Sequence, residues 1–69
     1  MLFKDNEIKV AVIGLGYVGL PLAIELAKKK FTVFGFDPNS RRIRNLKLNF
    51  DETNEVSNKD LEKTSIIFS

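Results

Sequence analysis

The sequence predicts an α/β fold: half of a doubly wound parallel sheet, with β-α-β-α-β order and three parallel strands in the spatial order 3-2-1. Two observations predict it. Short runs of apolar, β-branched and aromatic residues alternate with segments of helical periodicity. A glycine-rich turn joins the first apolar run to the first helical segment. Strands that alternate with helices are joined by right-handed crossovers and lie parallel, and 69 residues suffice for one small domain.

The first half of the chain predicts a strand, a helix and a second strand. The first strand is IKVAVIG, whose apolar residues Val10 to Ile13 do not alternate with polar ones, as is typical of a parallel strand covered on both faces. The following helix spans about Val18 to Lys29, with Pro21 tolerated in its first turn. Its expected inward face carries Leu22, Ala23, Leu26 and Ala27, broadened by Leu20 and Ile24. The second strand is FTVFGFD.

The second half predicts two helices and a third strand. A helix fits Ser40 to about Leu48, with Ile43, Leu46 and Phe50 facing inward. Ser57, followed three residues later by Asp60, predicts the N-cap of a short helix around Leu61. SIIFS is the third strand. The elements therefore alternate as the fold class requires.

The sequence GLGYVG matches the pattern G-x-G-x-x-G and lies between a predicted strand and a predicted helix, as a dinucleotide-binding turn does. In such a turn Gly14 allows the chain to leave the strand sharply, Gly16 allows a pyrophosphate to approach the backbone, and Gly19 allows the helix to pack closely on the sheet. The first helical amides, from about Tyr17 to Leu20, lack partners within the helix and are expected to face the phosphates. The alternative is a glycine-rich turn without a ligand.

Asp37 ends the second strand, about 20 residues beyond the turn, where an acidic residue accepts hydrogen bonds from the adenosine ribose. A carboxylate there repels a 2′-phosphate and favours NAD over NADP, although Arg41 and Arg42 are of the type that can hold that phosphate. The alternatives are a turn or helix-cap aspartate for Asp37 and a solvated surface position for Arg42. Gly35 either leaves room for the adenine or is a small residue under a packed helix.

Composition excludes several classes of function. The chain has no cysteine and no histidine, which excludes disulfides, thiolate chemistry, a histidine base and the usual zinc sites. A Walker-type phosphate loop is excluded because GK[ST] is missing. The net charge of +2 argues against nucleic acid, and the basic cluster SRRIRNLK is interpreted as a solvated helix face. A charged N-terminus and the lack of an apolar run of ~20 residues predict a cytoplasmic protein that does not enter a membrane.

Several of these segments resemble a known family. KVAVIGLGYVGLPLA and FGFDPNSRRIRNL are similar to the N-terminus of the UDP-glucose/GDP-mannose dehydrogenase superfamily. GLPLA and DETNEVSNKDL resemble the Vi-polysaccharide type, the UDP-N-acetylglucosamine or UDP-N-acetylgalactosamine 6-dehydrogenases, and SIIFS resembles the family's third strand. Phe50 is a departure, because the family usually has glycine before this aspartate.

The resemblance implies that residues 1–69 are the N-terminal portion of a Rossmann NAD-binding domain, with the remainder of the enzyme absent. Such enzymes oxidise the C6 alcohol of a UDP-sugar to a uronic acid in polysaccharide biosynthesis, through a catalytic cysteine with lysine, asparagine and aspartate helpers. None of those groups has a counterpart here, so this chain alone is expected to be inactive. The implied cofactor contacts are Gly14, Gly16, Tyr17, Val18, Gly19, Asp37 and Arg42.

Two other functions remain open at this point. One is a stand-alone or truncated nucleotide-binding or interaction module without catalytic activity. The other is a different Rossmann oxidoreductase, such as a hydroxyacid dehydrogenase, which rests on the glycine pattern alone. If residues 1–69 are instead the N-terminal portion of a dehydrogenase, the fourth strand that normally lies beside the first is missing, so the outer edge of the first strand is expected to be bare and apolar, which favours self-association.

Overall fold

The computed structural model describes residues 8–69 and has three strands and three helices within them. The strands are β1 (Lys9–Ile13), β2 (Thr32–Phe36) and β3 (Ile66–Phe68). The helices are α1 (Gly19–Lys28), α2 (Ser40–Lys47) and α3 (Asn58–Lys63). Each predicted element is present, with ends that differ by at most one residue from those predicted. The start of the charged N-terminal segment, residues 1–7, lies outside the described residues.

The sheet is open, parallel and ordered β1-β2-β3, which confirms the predicted half of a doubly wound sheet and its order 3-2-1. Val12 is paired with Gly35, and Gly35 with Phe68, so the three strands end at the same edge of the sheet. Ligands of such sheets bind at this carboxyl edge. The glycine turn and Asp37 both follow strands there.

The core lies between one face of the sheet and the helices. Its buried apolar side chains come from two strands, the three helices and two loops: Val12, Leu15, Leu20, Ala23, Ile24, Val33, Ile43, Leu46, Val56 and Leu61. The two crossovers advance in the same direction across the sheet, and crossovers between parallel strands are right-handed as a rule, so both are expected to place their helices on the same face.

The opposite face of the sheet has no cover among residues 8–69, so the expectation that β1 is buried on both faces is wrong for the described chain. Ile13 is 72% exposed and Ile67 is 53% exposed. Phe34 and Phe36 are also exposed on this face. The lack of alternation between apolar and polar residues in β1 therefore does not reflect burial on both faces, because only one face of the strand meets a helix among residues 8–69.

The inward face of α1 is the predicted one rotated slightly about the helix axis: Leu26 and Ala27 pack against the core as predicted, and of the predicted residues only Leu22 is excluded from it. Leu20, Ala23 and Ile24 are buried, whereas Leu22 is 51% exposed and lies beside the free edge of β1, the edge that pairs with no other strand of residues 8–69. Gly19 sets this rotation, because its backbone is pressed against the end of β1 and the residue one turn later, Ala23, must face the same way.

The chain reverses immediately after α2, and the predicted inward position of Phe50 is wrong. Asn49 adopts a left-handed conformation with φ of 62°, and the Phe50 amide donates to the Asn45 carbonyl over 2.9 Å. This is the Schellman pattern of a helix C-terminus. Phe50 is left 47% exposed, whereas Asp51 is only 2% exposed. The left-handed conformation, which favours glycine, occurs at Asn49 and not at position 50. Phenylalanine therefore fits at position 50, where the family usually has glycine.

Candidate cofactor-binding site

The site begins where β1 ends in the glycine turn. Gly14 has φ of +91°, a conformation that side-chain-bearing residues rarely adopt, and its amide donates to the Phe36 carbonyl over 2.8 Å. The turn is thereby fixed to the end of β2. The sharp departure from the strand that the sequence predicts for Gly14 is confirmed.

Gly16 and Gly19 lack a side chain for opposite reasons. A Cβ added at Gly19 would lie 1.7 Å from the Gly14 carbonyl oxygen, so only glycine allows this approach of α1 to the strand. A Cβ added at Gly16 would meet no heavy atom within 4 Å. The fold of residues 8–69 therefore does not require glycine at position 16 for packing, and the open space above its backbone suits a ligand group.

The turn leaves several backbone amides without an acceptor. The Leu20 amide donates to the Gly16 carbonyl over 3.2 Å, so the predicted run of free amides from Tyr17 to Leu20 is wrong at its last member. The amides of residues 16–19 have no acceptor among residues 8–69. Val18 stands at the N-cap of α1 and offers no side-chain acceptor, whereas Asn39 and Ser57 cap α2 and α3. Free amides at the start of a helix form an anion-binding site.

Asp37 lies beside this turn and holds it. Its Oδ2 accepts from the Leu15 amide and its Oδ1 accepts from the Asn39 amide, each over 2.9 Å. These two hydrogen bonds hold the pKa of Asp37 below its usual value, and the charge of Arg42 acts in the same direction. The turn role considered for Asp37 is therefore present. Each carboxylate oxygen keeps a second lone pair, so the group can also accept from a ribose hydroxyl.

Leu15 is the central residue of the turn and is held on three sides. Its side chain has no exposed surface and lies against Gly35, where an added Cβ would meet Leu15 Cδ1 and Cδ2 at 3.2 Å. Its carbonyl accepts from Arg42 Nε over 2.8 Å and from Arg42 Nη2. Of the two interpretations of Gly35, the structure supports the packing one. Sequence reasoning missed the role of Leu15, because a leucine between glycines carries no polar signal.

Arg42 is only 8% exposed, so the interpretation of the basic cluster SRRIRNLK as a solvated face is wrong at this residue, although Arg41, Arg44 and Lys47 are exposed. Its Nη1 donates to Asp51 Oδ1 over 2.6 Å. Burial alone would raise the pKa of Asp51, but hydrogen bonds from Thr53, from Arg42 and from the amides of Thr53 and Val56 lower it to about 2. The guanidinium thus joins the turn to the loop after α2. A direct contact between Arg42 and a cofactor stays a prediction.

The neighbouring arginine has a carboxylate partner as well. Arg41 Nη2 lies 3.1 Å from Glu52 Oε2, and Asn45 Nδ2 donates to Glu52 Oε1 over 2.6 Å. Sequence reasoning did not single out Asp51 or Glu52 as part of the site. The available signal was that two adjacent arginines in the first turn of α2 are matched by two adjacent carboxylates in the loop that follows the helix.

The arrangement provides binding groups: free amides that can hold a diphosphate, and a carboxylate that can accept from a ribose. The open space at Gly16, the free amides and the anchored Asp37 together fit the dinucleotide that the sequence predicts. No helix among residues 8–69 has the length and apolar character needed to cross a membrane.

Comparison with known proteins places these features in a family. The NAD-binding domain of the UDP-glucose/GDP-mannose dehydrogenase family matches residues 8–66. The chain is 54% identical over 60 residues to a UDP-N-acetyl-D-glucosamine 6-dehydrogenase of Pseudomonas aeruginosa, covering 87% of this chain and 14% of that protein. An enzyme of the same name from Salmonella typhi is 47% identical over 62 residues, covering 90% of this chain and 14% of that protein.

A relative that is matched over a shorter stretch is a UDP-N-acetyl-D-mannosamine dehydrogenase of Methanocaldococcus jannaschii, 48% identical over 46 residues, or 65% of this chain and 11% of that protein. No solved structure matches the chain significantly. The chain spans 14% of the length of the first two relatives. The resemblance and the NAD cofactor expected from the sequence are both confirmed, because the chain belongs to the UDP-glucose/GDP-mannose dehydrogenase family and lies within its NAD-binding domain.

Proposed function

We propose that the chain is the N-terminal, NAD-binding portion of a nucleotide-sugar dehydrogenase. The enzyme would oxidise the C6 alcohol of a UDP-N-acetylhexosamine to a uronic acid. In this proposal the enzyme is cytoplasmic and its product enters polysaccharide biosynthesis. The names of the relatives support the substrate class, and the observation that carries the proposal is the open, amide-lined turn at Gly16 beside Asp37.

The proposed contacts divide between the two ends of the site. The backbone of Gly14 to Gly19, including Tyr17 and Val18, holds the pyrophosphate through the free amides and the helix dipole. Asp37 accepts from the ribose hydroxyls of the adenosine half. Arg42 keeps the turn in place through the Leu15 carbonyl and lies next to the ribose position. When bound, NAD supplies the hydride acceptor, and the residues of this chain bind and orient it.

Gly16→Val tests the phosphate site. The added side chain enters space that is empty without a ligand, so the fold is expected to survive while NAD affinity falls at least 100-fold. Isothermal titration of the full-length gene product with NAD measures the loss, and circular dichroism checks the fold. Unchanged affinity in the folded variant would show that the turn is not the phosphate site.

The catalytic part of the proposal has its own test. The full-length gene product should reduce NAD in the presence of a UDP-N-acetylhexosamine, and residues 1–69 alone should not. A gene product that ends at Ser69 would instead support the alternative function, a nucleotide-binding or interaction module without chemistry of its own. The coding sequence just beyond residue 69 distinguishes the two.

We also propose that residues 1–69 self-associate when produced alone. The free edge of β1 and the adjoining side of α1 form an apolar groove of about 550 Å³, whose lining includes Val10, Ile13, Val18, Leu22 and Leu26. An unpaired strand edge with apolar neighbours is a template for pairing with another chain.

A further inference from the structure

The two arginines that follow Asp37 are each bound by one of two consecutive carboxylates. Arg42 is paired with Asp51 at 2.6 Å in the interior, and Arg41 is paired with Glu52 at 3.1 Å on the surface. The four residues join the first turn of α2 to the start of the following loop. Arg44 and Lys47, in the last turn of the same helix, have no such partner among residues 8–69.

These arginines lie at the ribose end of the site. Asp37 binds the amide of Leu15 while Arg42 binds the carbonyl of Leu15, so the carboxylate and the guanidinium flank one residue. Arg41 is adjacent, and its amide donates to the side chain of Asn39, whose own amide donates to Asp37. An arginine in this neighbourhood is the group that accommodates a 2′-phosphate in NADP-binding proteins.

We propose that Asp51 and Glu52 are specificity-determining residues, which favour NAD over NADP by occupying Arg42 and Arg41. This inference rests on the proposed NAD site. A 2′-phosphate would meet the carboxylate of Asp37, and the two guanidiniums that could attract it are already bound by Asp51 and Glu52.

The geometry of both carboxylates favours this role, because each is also held by hydrogen bonds to groups other than its arginine. Asp51 also accepts from Thr53 Oγ1 and from the amides of Thr53, Glu55 and Val56, which fix its position. The other carboxylate oxygen of Glu52, Oε1, accepts a hydrogen bond from Asn45 Nδ2. A phosphate would therefore have to break an existing ion pair to gain either guanidinium.

Glu52→Gln tests the surface pair with little risk to the fold. Dissociation constants for NAD and for NADP are measured by titration of the full-length gene product. Release of Arg41 is expected to shift the ratio of the two constants toward NADP by about three-fold, the size of an exposed ion pair. Adding Arg41→Gln to this variant should abolish the shift. The matched control is Glu55→Gln, which removes a charge from the same loop at an exposed carboxylate without an arginine partner among residues 8–69.

Asp51→Asn tests the buried pair and is expected to shift the same ratio toward NADP further than Glu52→Gln does. If that variant does not fold, the Glu52 and Arg41 variants decide alone. The inference is overturned if Glu52→Gln changes both constants equally, if its shift survives the loss of Arg41, or if Glu55→Gln produces the same shift. Failure of the proposed NAD site itself would look different: the unmodified protein would not bind NAD, or Gly16→Val would leave that binding unchanged.

Discussion

The three glycines of the turn show how one residue type serves three physical requirements. Gly14 is needed for its backbone conformation and Gly19 for the approach of α1 to the Gly14 carbonyl, whereas Gly16, in the proposed site, leaves space for the pyrophosphate. Only the first two are requirements of folding. Substitutions at Gly16 and Gly19 should therefore separate binding from stability.

Gly19→Ala is expected to destabilise the protein by about 3 kcal/mol, because the added Cβ would lie 1.7 Å from a backbone oxygen that cannot move without displacing β1. Gly16→Ala, the matched control, should change the free energy of unfolding by less than about 0.5 kcal/mol. Urea unfolding followed by circular dichroism measures both. Equal effects would mean that α1 does not need glycine at position 19 for its packing.

Asp37→Ala is expected to weaken NAD binding about ten-fold, the size of a lost charge-assisted hydrogen bond, and to relax discrimination against NADP. Asp37→Asn keeps the shape and oxygen of the side chain but removes the charge, so it should relax discrimination with a smaller loss of NAD affinity. Titration with each dinucleotide gives both quantities. An unaltered ratio of NAD to NADP affinity in both variants would remove the ribose role.

At the scale of elements, α2 and the loop after it form one unit, held by the buried pair of Arg42 and Asp51. Asn39 caps the start of α2, and the left-handed residue Asn49 ends the helix. Asp51 then fixes the loop, because its carboxylate accepts hydrogen bonds from four groups of the loop and from Arg42 of the helix. Because this unit also holds the Leu15 carbonyl, a loop remote in sequence supports the glycine turn.

The stability of this unit should depend on pH through Asp51. Its folded-state pKa, about 2, lies below the value of about 3.9 for an unfolded chain. The carboxylate therefore stabilises the fold by about 2 kcal/mol above pH 5, and this contribution is lost as the pH falls toward 2. Asp51→Asn should be less stable at pH 7, with a gap that narrows on acidification. A gap that stays constant from pH 7 to pH 2.5 in urea unfolding would contradict this assignment.

The sequence predicted the elements better than it predicted the side chains that face inward. Periodicity located α1 and most of its inward face but placed Leu22 wrongly, because Gly19 sets the rotation of the helix through a contact with the end of β1 that no local pattern contains. The same limit applies to Arg42 and Asp51. Each looks like an ordinary surface charge in sequence, and only the reversal of the chain at Asn49 brings them together in the interior. The glycine turn and Asp37 were predictable because their spacing along the chain is itself the signal.

At the scale of the whole molecule, the helices cover one face of the sheet and leave the other open in residues 8–69. Ile13, Phe34, Phe36 and Ile67 form the exposed apolar strip of that face, and the free edge of β1 adjoins it. A chain that exposes this apolar surface is expected to bind another copy of itself.

The self-association expected for residues 1–69 can be tested at the edge of β1. Ile13→Lys and Leu22→Lys each place a charge at exposed positions in the groove and should shift the isolated chain toward monomer. Light scattering after size-exclusion chromatography measures the mass. Leu48→Lys is the matched control, since Leu48 is 77% exposed but lies at the end of α2, away from the groove. A monomeric unmodified chain, or an equal effect of the control, would contradict the proposal.

The hydrogen bonds and packing that fix Leu15 have a thermodynamic consequence. Its amide, its carbonyl and its side chain are all engaged within the folded chain, so the backbone next to Gly16 is set before any nucleotide arrives. A receptor that is already ordered gives up little conformational entropy on association. The amide of Leu15 should accordingly exchange slowly with solvent deuterium in the free protein, and added coenzyme should slow it little further.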